Sequence, residues 1–143
     1  MFCGNAAGEM VPPMVVYKAK NLYSSWKGED GRGIKGAHYS TSLSGWFDMF
    51  PFEEWFAKVL LPILKKKQGK KLIMGDNLAS HISPKVIELC KQHNIQFVCL
   101  PPHSTDKMQP LDVGVFSSMK SGWRAILTSS QAEAPEQGWH RQD

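Results

Sequence analysis

The sequence lacks any apolar run approaching the ~20 residues that a membrane-spanning helix requires. Its longest extends only from Val59 to Leu64 and contains Pro62. A helical membrane protein is therefore excluded, and no membrane partner is expected. The opening Met1-Phe2-Cys3-Gly4-Asn5 has no basic segment followed by an apolar one, so the chain is expected not to be exported. Cysteine is scarce. Cys3, Cys90 and Cys99 are odd in number and far apart, with no C-x-x-C pair and no Cys/His cluster of zinc spacing. A disulfide framework and a structural zinc are excluded, and reduced thiols in a cytosolic or nuclear protein are expected. Internal repeats and low-complexity segments are also missing, which excludes solenoids and collagen-like chains.

What is present fits one globular domain. The 143 residues are 42% hydrophobic, 10% aromatic and 21% charged, and a domain of that size buries roughly 70% of its unfolded surface without needing a metal or disulfide. Seventeen Lys and Arg against thirteen Asp and Glu give a net charge of +4, compatible with a phosphate-bearing partner. The basic residues are unevenly placed. Lys58, Lys65, Lys66, Lys67, Lys70 and Lys71 follow one another with no acid among them. They fit either a phosphate-binding patch or a solvated helix end whose cations complement the helix dipole.

Along the chain, Met1 to Tyr17 reads as a hairpin, and residues 18 to 45 as a long surface loop with a short strand near Ala37 to Ser42. Phe52, Trp55, Phe56, Val59, Leu60, Ile63 and Leu64 mark one apolar face of a helix opened by Pro51. A kink or an early end is expected at Pro62. Leu72 to Asp76 is apolar on consecutive positions, as in a central strand covered on both faces. Ser83 and Pro84 open a short helix ending near His93-Asn94, and Gln96 to Leu100 forms the next strand. Strand, helix and strand with short connections predict a right-handed crossover and parallel neighbours. Pro110 opens a last helix whose expected buried side carries Val113, Phe116, Met119, Trp123 and Ile126 or Leu127. The expected division is a domain over residues 1–127 and a polar, frayed tail over 128–143.

Two aspartates stand where chemistry gathers in α/β folds. Asp76 ends a strand, and Asp112 lies in the first turn of the last helix. Each also has an ordinary role, in an Asx turn or at the positive end of a helix dipole. Ser80-His81 offers a nucleophile beside a base, but adjacent residues rarely aim at one another and no third orienting group is evident. Asp106, six positions before Asp112, competes for the same role and reads as a solvated loop residue.

Three blocks together resemble a known family: Gly75-Asp76-Asn77-Leu78-Ala79-Ser80-His81, Leu100-Pro101-Pro102-His103-Ser104-Thr105, and Gln109-Pro110-Leu111-Asp112-Val113-Gly114-Val115-Phe116. They are similar to the second and third carboxylate blocks of the DDE-superfamily endonuclease domain, the transposase core of the pogo, Tigger and Jerky group. The opening Phe2-Cys3-Gly4-Asn5-Ala6-Ala7-Gly8 and the Ser44 to Phe56 stretch resemble it too. The resemblance implies an α/β, ribonuclease H-like mixed sheet flanked by helices. It also implies two Mg²⁺ ions held by three acidic side chains for in-line phosphodiester displacement. Asp76 corresponds to the second acidic ligand and Asp112 to the third, with Asn77, Ser80 and His81 near the metal shell or a phosphate. In the family the first aspartate lies on a strand ahead of the hairpin that opens this chain. Glu9, Glu29, Asp30 and Asp48 do not end a predicted central strand, so the domain is expected to lack its first strand, its first carboxylate and the preceding helix-turn-helix domains.

The expectation that follows is a DNA-binding, nuclear remnant of a transposase-derived nuclease, inactive alone and weak in Mg²⁺ binding. Its DNA contacts are expected from Lys65, Lys66, Lys67, Lys70, Lys71, Asn77, His81, Lys120 and Arg124, the last two being spaced i, i+4 on one helix face. The alternative is a protein-interaction module with a vestigial crevice, self-associating through an exposed sheet edge. An unrelated α/β metal phosphoesterase ranks last, because the His-rich ligand set is missing.

Overall fold

A computed structural model of the chain describes residues 1–27, 34, 36–76, 82–102, 104 and 108–133. Strand β1 (Met14–Lys18) pairs in parallel with β2 (His38–Ser42). An antiparallel hairpin is present only ahead of β1, as a Gly4–Met10 bridge and a Val11 N–H to Cys3 carbonyl bond of 2.8 Å, while Met14 to Tyr17, expected as its second strand after a turn at Glu9 to Pro13, pairs in parallel with β2 instead. The parallel pairing explains the long intervening loop, since parallel strands need a crossover and cannot be joined by a tight turn. Tyr17 and Tyr39 stack at 6.3 Å on the outer face, and Trp26, from a 3-10 turn (Ser24–Trp26), covers Tyr17 at 4.8 Å. Gly45 (φ +77) closes the end of this pair, where a Cβ would lie 2.8 Å from that of Lys18.

The long helix follows in three continuous pieces: α1 (Met49–Trp55), a π turn (Phe56–Leu60) and α2 (Leu61–Lys66). It neither ends at Pro62 nor breaks there. The Leu61 N–H reaches back to the Phe56 carbonyl, and this wider turn absorbs the proline's missing donor and its ring. The π turn holds an extra residue, so it brings Leu61 into the core, where a strict 3.6 period does not place it. Phe52, Trp55, Phe56, Val59 and Leu60 are buried as their spacing predicts.

Strand β3 (Lys71–Gly75), helix α3 (Pro84–Gln92) and strand β4 (Ile95–Cys99) form the expected crossover unit, with β3 and β4 parallel from Lys71 opposite Ile95 to Gly75 opposite Cys99. Asn94, at φ 53, turns the chain out of α3 in the left-handed conformation that asparagine tolerates. Ser83 stands at the expected cap position but makes no side-chain cap bond; fully buried, its hydroxyl donates to Glu53 and ties α3 to α1. The core joins Met14, Val86, Cys90 and Ile95 to Phe52, Trp55, Phe56, Val59, Leu60 and Leu61 of the long helix.

Further expectations are corrected. Strand β3 is covered on one face only, because Ile73 packs on the core while Leu72 and Met74 are exposed. The last helix runs as a π segment (Leu111–Val115) followed by α4 (Phe116–Glu133), and its apolar side is exposed at Val113, Met119, Trp123, Ile126 and Leu127. The helix also continues past Leu127 to Glu133, so the first part of the expected tail is helical; residues 134–143 lie outside the described residues. The result is a small mixed α/β domain of short strand pairs and helices, consistent with the ribonuclease H-like class.

Candidate acidic site and basic patch

Asp76 follows the last residue of β3, whose Gly75 carbonyl accepts the Leu100 N–H at 2.8 Å. That bond fixes the carboxyl end of the strand pair, and Asp76 leaves it half-buried. Asp112 lies in the π segment, its N–H on the Gln109 carbonyl at 3.0 Å, and is also half-buried. Asn77, Ser80 and His81, together with Glu29, Asp30 and Asp106, lie outside the described residues.

The other described acids serve structural contacts. Glu9 binds Lys67 at 2.9 Å and Asn5 at 2.6 Å. Those two hydrogen bonds hold its carboxyl below the usual glutamate range. Asp48 accepts from Ser44, Glu53 from Ser83 with Lys85 at 3.6 Å, and Glu88 from Gln92. Glu54 accepts from Ser40 at 2.6 Å and Lys58 at 2.8 Å. Burial alone pushes Glu54 up, but the bonds from Lys58 and Ser40 outweigh it, so its carboxyl titrates below its ordinary value. Among the described residues no three His, Cys, Asp or Glu side chains come together to hold a metal. Asp76 and Asp112 are hard oxygen ligands of the right kind, but the described acids do not complete a two-metal set. Burial raises the Cys3 and Cys90 thiols above their ordinary value, which suits inert packing residues rather than nucleophiles.

The lysine run sits at the other end of β3. Lys65 and Lys66 occupy the last turn of α2, and Lys67 and Lys70 bracket a turn at Gly69 (φ 79). All four are exposed, while Lys71 begins β3 half-buried. Lys67 is held by Glu9; Lys65, Lys66, Lys70 and Lys71 have no acidic partner among the described residues. A small cavity of about 130 Å³ lies here, lined by Leu64, Lys65, Lys71, His93 and Ile95. At ~3.3 Å per residue, Lys71 and Asp76 are roughly 16 Å apart along the strand. Lys120 and Arg124 are exposed on α4. The structure thus groups Lys65 to Lys71 and separates them from the acidic end. Sequence reading missed His93 beside Lys65 and Lys71, because only the crossover geometry brings the end of α3 to the start of β3.

Comparisons with known proteins bear on the family to which the chain belongs. The profile of the DDE superfamily endonuclease family matches residues 1–141. Among curated proteins, the MFS-type transporter clz9 of Cochliobolus lunatus is 35% identical over 120 residues, which is 83% of this chain and 13% of that protein. The chain therefore spans only a small part of that relative. No helix among the described residues is long and apolar enough to cross a membrane. No solved structure matches significantly.

Proposed function

Because the chain belongs to the DDE superfamily endonuclease family, whose members generally use a divalent metal, we propose that these residues form a transposase-derived domain that binds DNA without cleaving it. The observation that carries this reading is the group Lys65, Lys66, Lys70 and Lys71, free of acidic partners among the described residues. A cluster of unneutralised ammonium groups attracts a phosphate backbone and displaces its counterions, with little regard to base sequence. Lys120 and Arg124 add a second contact on α4. Asp76 and Asp112 supply two carboxylates toward a Mg²⁺ site; a pair of metals needs more ligands than the described acids bring together. A nuclear location goes with a DNA partner.

Fluorescence anisotropy with labelled duplexes, read across a salt series, tests the binding. Affinity should fall steeply with salt, and the Lys65→Ala, Lys66→Ala, Lys70→Ala triple variant should flatten the log–log slope by about 0.9 per lysine removed. Salt-independent binding would count against the proposal. In parallel, supercoiled plasmid with Mg²⁺ should stay intact. Nicking that disappears in Asp76→Ala would overturn the non-cleaving part.

A second reading, a protein-interaction module, draws on a different observation: the apolar surface exposed on β3, β4 and α4.

A further inference from the structure

Helix α4 is amphipathic, yet its apolar side meets solvent. At 100° per residue, Phe116, Met119, Trp123, Ile126 and Leu127 share one side, and Ser117, Ser118, Ser121, Thr128 and Ser129 lie away from it. The polar side already has local partners. Ser121 donates to the Ser117 carbonyl at 3.2 Å, Thr128 to that of Arg124 at 3.0 Å and Ser129 to that of Ile126 at 2.9 Å. The apolar side has none of comparable kind. Phe116 meets the ring of Phe2 edge-on at 5.8 Å, but every described side chain from Ser117 to Gln131 is exposed, Trp123 at 60% and Ile126 at 59%. Helices in proteins gain most of their stability by burying such a stripe.

The same chain carries a complementary surface. On the β3–β4 pair, Ile73, Ile95 and Phe97 face the core, and the alternate positions Leu72 and Met74 are 59% and 57% exposed, with Val98 beside them. A helix stripe laid on a sheet face is one of the basic layer pairings of folded domains. The exposed apolar residues of α4 and of this sheet face, if wholly covered, approach the roughly 800 Å² that a standard interface takes from each partner. The 18 residues of α4 span ~27 Å, enough to cross two strands spaced ~4.8 Å apart.

We propose that α4 of one copy packs on the Leu72, Met74 and Val98 face of a second copy, and reciprocally, giving a twofold dimer. Reciprocity fills both patches on both chains and closes the assembly, whereas a one-way contact would leave a patch open at each end and propagate. Lys120 and Arg124, flanking the stripe, stay at the solvated rim. This deepens the interaction reading and does not depend on DNA affinity.

Light scattering coupled to size exclusion, run on the 143-residue chain from nanomolar to tens of micromolar, should show a monomer–dimer transition without DNA. Met74→Glu and Trp123→Lys both alter exposed positions and should leave the fold intact by circular dichroism. Each alone should weaken dimerisation about tenfold or more. Mixing the two variants should restore a heterodimer, because one contact is then wild type and the other pairs Glu with Lys. A wild-type chain that stays monomeric throughout, a dimer indifferent to both changes, or a mixture that fails to recover would overturn the proposal. A monomer that still binds DNA would remove the dimer and leave the DNA reading standing.

Discussion

Glu54 is a carboxylate whose surroundings give the fold a pH dependence. Its carboxyl, bonded to Ser40 of β2 and Lys58 of the π turn, titrates below its ordinary value although burial works the other way. A carboxylate whose folded pKa lies below its unfolded one stabilises the fold fully above the unfolded value and loses that contribution as pH falls through the folded one. Thermal stability should therefore hold down to the ordinary glutamate range and fall below it. Glu54→Gln should shrink that acid-side loss, and melting curves across pH check it. The serine partners of Glu53 and Glu54, Ser83 and Ser40, lie 30 and 14 positions away, and no local pattern announces a contact made by packing. Asp76 and Asp112 stand out in the sequence because each occurs in a block whose neighbours are distinctive. For Glu54 only the i,i+4 partner Lys58 is local; its burial and its bond to Ser40 depend on a strand and a helix meeting.

Element positions were more legible than element surroundings. The long helix, both strands of the crossover unit and α3 fall close to where apolar spacing, Pro84 and Asn94 place them. Burial of a face depends on what lies opposite, so the same spacing that located β3 and α4 wrongly implied that their apolar sides were covered. Pro62 shows the reverse case, a local rule obeyed by an unexpected route. In a regular helix interior, replacing proline by alanine gains ~3 kcal/mol. Here the π turn already accommodates the ring, and reverting to a regular helix would rotate α2 by about 100° and turn Leu61 out of the core. Pro62→Ala should therefore change stability by less than about 1 kcal/mol, well short of that gain. Urea denaturation measures the difference directly, and a gain near ~3 kcal/mol would show that the π turn is not held by the core.

At the scale of the molecule, β3 separates two kinds of charge. Its first residue belongs to the lysine group, and Asp76 follows its last. The roughly 16 Å between them exceeds the ~8 Å over which salt at physiological strength screens a charge. Asp76→Asn should accordingly change DNA affinity by less than about twofold, as anisotropy would show, while lysine removal lowers it. A larger effect would mean that the acidic end contacts the DNA. This polarity was half visible beforehand. The lysine run is plain in the sequence, and its distance from the carboxylate follows only from knowing that a strand, rather than a loop, lies between them.

The long helix has one more consequence, for how the protein comes apart. Among the described residues, β1–β2 and β3–β4 share no ladder hydrogen bonds, and what unites them is side-chain packing of Met14 on one side and of Val86, Cys90 and Ile95 on the other against α1 and α2. Cooperativity between the two halves thus passes through one rod, by apolar packing together with the hydrogen bonds of Ser40 to Glu54 and of Ser83 to Glu53. Phe56, fully buried within the rod, belongs to the cluster that both halves share, so Phe56→Ala should loosen both together rather than one.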